Sequence, residues 1–261
     1  MSSFFSKELS PRITRNKSRD ADSLQKRLKK GRKICYNTQN TEKEEPTMKK
    51  DPHDASGFVL LSDLVPHIVQ EIRYFTTYNF IGDRIDGYEE PIALLTKEAA
   101  RALKAVSSEM MVKGFRLKIF DAYRPETAVR HFMLWGIEDE DVRMKPYFYP
   151  DMEKQALFSN GYIARRSSHS RGSTVDLTLL DMTTGKELDM GSPFDFFGDV
   201  SHPDYRGITD EQFDNRMFLR EAMLRNGFLP FDTEWWHFTL RGEPYPDTWF
   251  DFPVTMDSLR K

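Results

Sequence analysis

FRLKIFDAYRP, residues 115–125, alternates in the manner of a strand. Phe115, Leu117 and Ile119 are separated by Arg116 and Lys118, and a period of two puts the apolar side chains on one face, so a half-buried strand is expected to run into Asp121-Ala-Tyr-Arg-Pro125. Upstream, Thr96 suits a helix N-cap, Ala99, Leu103, Val106 and Met110 recur at helical spacing, and Gly114 stands where a left-handed residue would stop the helix. Downstream, Pro125 opens a second helix, with Val129, Met133 and Leu134 expected on one side. Arg73–Phe80 (RYFTTYNF), rich in β-branched and aromatic residues, reads as a strand ending near Gly82. Thr174–Leu179 reads as a strand, Thr183-Thr-Gly185 as a hairpin turn, Thr209 with Gln212 as a capping box for a helix stopped at Gly227, and Trp235–Leu240 as the last strand. Short turns and alternating strands favour an α+β fold, a central antiparallel sheet with helices packed around it, over a doubly wound parallel one.

Composition limits what such a fold can do. The chain has 261 residues, 39% hydrophobic and 13% aromatic, and Cys35 is its one cysteine. That excludes an internal disulfide scaffold and any thiolate-rich metal cluster, so a metal site must be built from His and carboxylates. The net charge of −3 is unevenly distributed: residues 1–50 carry 14 Lys and Arg against 6 acids, and the remainder 24 against 35. Residues 1–55 are therefore expected to form a basic, flexible N-terminal extension and residues 56–261 the folded domain. A solvated extension, contact with nucleic acid or an anionic membrane, and a start nearer Met48 all remain open for the first part, while the acidic folded domain is not expected to bind nucleic acid. No stretch approaches the ~18 consecutive apolar residues of a spanning helix and the first thirty residues lack the apolar block of a secretory signal, so a cytoplasmic protein is expected, or a periplasmic one should the true start differ.

Two of the six histidines stand in unusual company. His169 lies in Ser167-Ser-His-Ser-Arg-Gly-Ser-Thr-Val-Asp176, and His237 closes Glu234-Trp-Trp-His237. A hydrolytic zinc needs three N/O ligands and one open position, which two imidazoles and a carboxylate supply. His169 approaches from a loop, Gly172 lets the backbone turn after it, Asp176 arrives on a strand, and His237 comes from a neighbouring strand. Glu234 is the candidate base. Residues three apart on a regular strand face opposite ways, so Glu234 is expected in the turn entering the strand or beside a bulge. An E-x-x-H tetrapeptide is common by chance, and the conjunction of the two segments is what carries weight.

From Arg73 to Pro253 the chain resembles the zinc D-alanyl-D-alanine dipeptidases of the VanX type, within the zinc D,D-peptidases of hedgehog-like fold. The blocks 121–125, 167–179, Gly191-Ser-Pro-Phe-Asp-Phe196, Glu234-Trp-Trp-His237 and Glu243-Pro-Tyr-Pro246 occur in the family's order. The resemblance implies one zinc per chain held by His169, Asp176 and His237, and Glu234 as general base and proton shuttle. It also implies Arg124 as the cation facing the oxyanion, Asp195 as acceptor of the substrate's free amino group, and Ser167 and Tyr74 as pocket residues. The implied substrate is the small dipeptide D-Ala-D-Ala, cleaved to two D-alanines in glycopeptide resistance or in turnover of wall fragments. Thr174 departs from the family's alanine, and its hydroxyl could add a hydrogen bond or crowd the sheet. The rival readings are a zinc D,D-carboxypeptidase or endopeptidase acting on longer wall peptides, and a zinc-stabilised binding module without turnover. Retention of Glu234 and Arg124 argues against the last, since a structural site has no use for either.

Overall fold

The computed structural model describes residues 49–138 and 140–260, so most of the basic extension lies outside the described residues. The chain runs β1 (Phe58–Leu60), β2 (Val69–Gln70), β3 (Leu94–Thr96), α1 (Lys97–Val112), β4 (Phe115–Asp121), α2 (Glu126–Gly136), β5 (Thr174–Asp181), α3 (Asp210–Arg225), β6 (Phe228–Pro230) and β7 (His237–Leu240), with short helical turns between. β1 and β3 form an antiparallel ribbon, and the main sheet has the order β2-β4-β5-β7-β6. Every neighbouring pair in it is antiparallel except β2 with β4, where Val69 faces Lys118 in parallel register. The architecture is α+β, a largely antiparallel sheet covered by helices.

Local chemistry accounts for the long elements. The Thr96 hydroxyl accepts from the Ala99 amide, α1 buries Ala99, Leu103, Val106 and Met110 completely, and Gly114 follows at φ +87°. Each large aliphatic side chain buried there contributes about 1.5–3 kcal/mol. α3 opens on the Thr209/Gln212 capping box and stops before Gly227 at φ +89°. Against these helices the sheet presents Leu117, Ile119, Leu177 and Leu179, all fully buried. The opposite side of β4 is covered as well: Lys118 is buried and ion-paired with Glu71 and Glu187. A paired ammonium tolerates burial that a lone one would not, and alternation alone does not reveal such a pairing.

Several local expectations need correction. Arg73–Phe80 is no strand but a 3-10 turn, Arg73–Phe75, and a loop. The Asn79 side chain closes that loop, donating to the Thr76 and Asp83 carbonyls and accepting from the Ile81 and Gly82 amides, so the backbone needs no strand partner. The Tyr74 ring packs against Phe80, Tyr88, Phe132 and Phe194. Aromatic content there reflects core packing rather than pleating. α2 buries Ala128, Val129, Phe132 and Trp135 and leaves Leu134 exposed, a small phase error relative to the expected face. The last strand begins at His237, because Trp235 and Trp236 belong to a turn. β6, whose three residues end in Pro230, is too short to announce itself in sequence.

Candidate active site

Strand register assembles the centre. Asp176 on β5 lies directly opposite His237 on β7, and opposite partners in an antiparallel pair share a face. On the other flank the β4–β5 register breaks between Ile119 and Asp121, a bulge that sets Asp121 opposite Asp176. Asp121, Asp176 and His237 thus form one row across three strands. His169 enters from the 3-10 turn Ser168–Arg171, whose cap is Gly172 at φ +79°. A side chain at 172 would meet the Phe58 ring at 2.2 Å, so both conformation and space require glycine.

His169, Asp176 and His237 each offer a ligand atom, all within 4.8 Å of one another. His169 Nδ1 lies 2.7 Å from the Ala122 carbonyl, which can only accept, so Nδ1 carries the proton and Nε2 is left with its lone pair. Nε2 lies 3.3 Å from both His237 Nδ1 and Asp176 Oδ2. Asp176 Oδ1 lies 3.2 Å from His237 Nδ1 yet is buried without an aligned hydrogen bond. Donor atoms converging on one point, with the outer nitrogen of His169 fixed by a carbonyl, are what a metal ion requires of its ligands. The electrostatics agree. Burial works against charge on both Asp176 and His237, but the two histidines hold Asp176 below the usual carboxylate range, and Asp176 with Glu234 raises His237 to about 9. The centre attracts positive charge.

Glu234 occupies the turn before β7, with the His237 amide donating to the Glu234 carbonyl at 3.3 Å. That turn removes the objection from strand alternation, and Glu234 Oε2 comes within 3.4 Å of His237 Nδ1. Arg124 is held by Asp121, with Nε and Nη2 each 2.8 Å from Oδ2, and its guanidinium lies over the Tyr74 and Phe132 rings at 4.8 and 5.3 Å. Its Nη2 is 3.7 Å from Asp176 Oδ2. Asp195 is buried with a left-handed backbone, φ +61°, and accepts from Tyr74 Oη at 2.9 Å. Burial first, and then the charge of Asp176, push its pKa well above the carboxylate range. The Ser167 hydroxyl caps the 3-10 turn by accepting from the His169 amide. All eight expected residues, Tyr74, Arg124, Ser167, His169, Asp176, Asp195, Glu234 and His237, line one cavity of about 760 Å³.

The structure adds groups that the sequence reading passed over. Asp121 is fully buried, accepts from Tyr88 Oη at 2.6 Å, anchors Arg124 and lies 3.5 Å from His169 Nδ1. Ser168 Oγ lies 3.2 Å from His237 Nε2. Both stand inside the quoted motifs, the only signal available. Of the two expectations for Thr174 the structure shows the added hydrogen bond: its hydroxyl pairs with that of Thr239 across β5 and β7 at 2.8 Å.

The profile of the D-ala-D-ala dipeptidase family matches residues 54–255, the described fold almost end to end. The chain belongs to this family. Relatives named D-alanyl-D-alanine dipeptidase include one from Enterococcus faecalis, 41% identical over 200 residues that make up 77% of this chain and 99% of that protein. One from Streptomyces coelicolor is 41% identical over 76% of this chain and 98% of its own length, and one from Escherichia coli K12 is 34% identical over 74% and 90%. As a family member the chain is a metallopeptidase, and among the described residues no helix is long and apolar enough to cross a membrane.

Proposed function

We propose that the protein hydrolyses D-Ala-D-Ala to two D-alanines, with one zinc ion held by His169, Asp176 and His237. The convergence of those three donors to within 4.8 Å, beside Glu234, is the observation that carries the proposal. Zinc with an open position would activate a water near neutral pH and polarise the peptide carbonyl. Glu234 takes the water's proton on its carboxylate and returns it to the nitrogen of the leaving D-alanine, so the peptide C–N bond breaks as the new acid forms. Arg124 donates to the carbonyl oxygen as negative charge gathers there. Its two contacts with Asp121 fix the guanidinium beforehand, and the flanking rings of Tyr74 and Phe132 keep water off it.

Asp195 and Tyr74 receive the substrate's ammonium, with Ser167 completing the pocket. A buried carboxylate whose hydrogen bond comes from a phenol favours a ligand that brings positive charge, and disfavours a chain that continues as a neutral amide. This feature favours a dipeptidase over an endopeptidase or carboxypeptidase acting on longer wall peptides. The proposal includes a cytoplasmic location, checked by fractionating cells that express the full chain. Metal analysis with hydrolysis assays before and after chelation tests the rest. About one zinc per chain, activity lost with the metal and restored by it, and resistance of N-acetyl-D-Ala-D-Ala are expected. Undiminished turnover by metal-free protein, or cleavage of the blocked dipeptide as fast as the free one, would overturn it.

A further inference from the structure

The loop that carries Asp195 has little regular structure of its own. It connects the β5 hairpin to α3, contains Gly191 at φ +79° and Asp195 at φ +61°, and is nevertheless buried at Met190, Phe194, Asp195, Phe197 and Ser201. What holds it is a side chain from outside. Arg216, on α3, is 2% exposed and sends its guanidinium into the loop. Nε donates to the Met190 carbonyl at 2.5 Å, Nη1 to His202 at 2.8 Å and Nη2 to Val200 at 2.7 Å, with Ser192 Oγ at 3.5 Å. Met190 precedes Asp195 by five residues and Val200 follows it by five, so one planar cation ties both stems of the loop together.

The same knot reaches the turn of Glu234. Trp235 Nε1 donates to Ser192 Oγ at 3.0 Å, the Trp235 amide donates to the Ser201 carbonyl at 3.0 Å, and the Ser201 hydroxyl donates to the Phe196 carbonyl at 2.5 Å. Burial draws the Arg216 pKa down only to about 10, so it is charged at neutral pH. An apolar residue could fill that volume. The fork supplies donors to three loop carbonyls and, because these lie on both stems, also holds the stems at one spacing.

We infer that Arg216 is a positioning residue for substrate-amine recognition: by clamping residues 190–202 it sets where the Asp195 carboxylate stands relative to the metal ligands and Glu234. The inference rests on the reading of Asp195 as the ammonium acceptor. Contact with the ammonium is made in ground state and transition state alike, so loosening the clamp raises KM and leaves kcat nearly alone. Lysine keeps the charge but presents one compact donor group, which cannot span carbonyls on both stems.

The test compares wild type with Arg216→Lys, Ser192→Ala and Asp195→Asn on D-Ala-D-Ala and its N-acetyl form, with melting temperature and bound zinc measured in parallel. Arg216→Lys should raise KM about tenfold with kcat within threefold and zinc content unchanged, and should shrink discrimination against the acetylated dipeptide in the direction of Asp195→Asn. Ser192→Ala, which removes one shared acceptor, should do the same by a few fold, and it decides the matter should Arg216→Lys fail to fold. Unchanged kinetics, or KM and kcat lost together in step with melting temperature, would show that Arg216 supports the fold and nothing more. Asp195→Asn separates the two levels. If Asp195→Asn leaves discrimination intact, the reading of Asp195 falls. If it abolishes discrimination while the other two variants do not, only the clamp falls.

Discussion

Gly172→Ala tests whether the turn that delivers His169 is as constrained as its geometry says. Two costs add. The backbone at 172 has φ +79°, and a left-handed conformation costs an alanine about 1–2 kcal/mol. The new methyl would also lie 2.2 and 2.3 Å from two atoms of the Phe58 ring. That ring cannot retreat easily, because Tyr123, Phe250 and Phe252 surround it with centroids at 5.1, 4.9 and 4.9 Å, and overpacking of this kind costs about 1–3 kcal/mol. The sum is roughly 2–5 kcal/mol, which for a domain of this size lowers the melting temperature by roughly 4–20 °C. Gly114→Ala is the control: φ there is +87°, but a methyl would meet nothing within 4 Å, so only the backbone cost of about 1–2 kcal/mol applies. Because the Gly172 amide donates to the His169 carbonyl and its own carbonyl accepts from Thr96, strain at 172 should also displace the imidazole and weaken metal binding, whereas strain at 114 should not. Thermal denaturation and competitive metal titration of both variants read the two effects. Equal melting temperatures for the two variants, or full metal affinity in Gly172→Ala, would refute the reasoning.

Glu234→Ala should lower kcat by about 10²–10⁴ while retaining metal, measured by turnover and zinc content, and wild-type turnover with zinc bound would remove its assignment as base. Arg124→Lys should lower kcat by about 10²–10³ with little change in KM, since an ammonium can neither fork onto Asp121 nor reproduce a fixed donor at the oxyanion, and a change confined to KM would contradict that role. Away from the site, hydrogen bonds from Arg225 and then Lys113 hold the Glu109 carboxyl at about 2, against an ordinary 4.5. A lowered folded-state pKa means that this stabilisation is complete above about pH 4.5 and disappears as the pH falls through about 2. Discounted for solvent screening at this partly exposed cluster, it amounts to about 1 kcal/mol, so urea denaturation should separate Glu109→Gln from wild type by that amount at pH 7 and by progressively less in acid. A difference that does not vary with pH would exclude the ionic explanation.

Much of the fold was legible because local rules and burial agree there. The alternation at 115–121, the Thr96 and Thr209 caps and the glycine stops at 114 and 227 are instructions written within a few residues of where they act. Arg73–Phe80 misleads because the same aromatic residues suit either a pleated strand or a knot around Tyr74, and the Asn79 hydrogen bonds that decide between them form only once the loop has closed.

For the site, the sequence by itself determined which residue types are present, in what order, and through Gly172 and the Glu234 turn where the backbone can bend. What it could not state was register. The bulge between Ile119 and Asp121 brings the Arg124 anchor level with Asp176, the β5–β7 pairing sets Asp176 against His237, and the Arg216 clamp gathers carbonyls from both stems of the Asp195 loop. Each of these joins segments well separated in the chain, from 14 residues for Arg216 and His202 to 61 for Asp176 and His237. No local propensity encodes them, because the free energy that selects one strand pairing over its neighbour comes from burying a whole face at once.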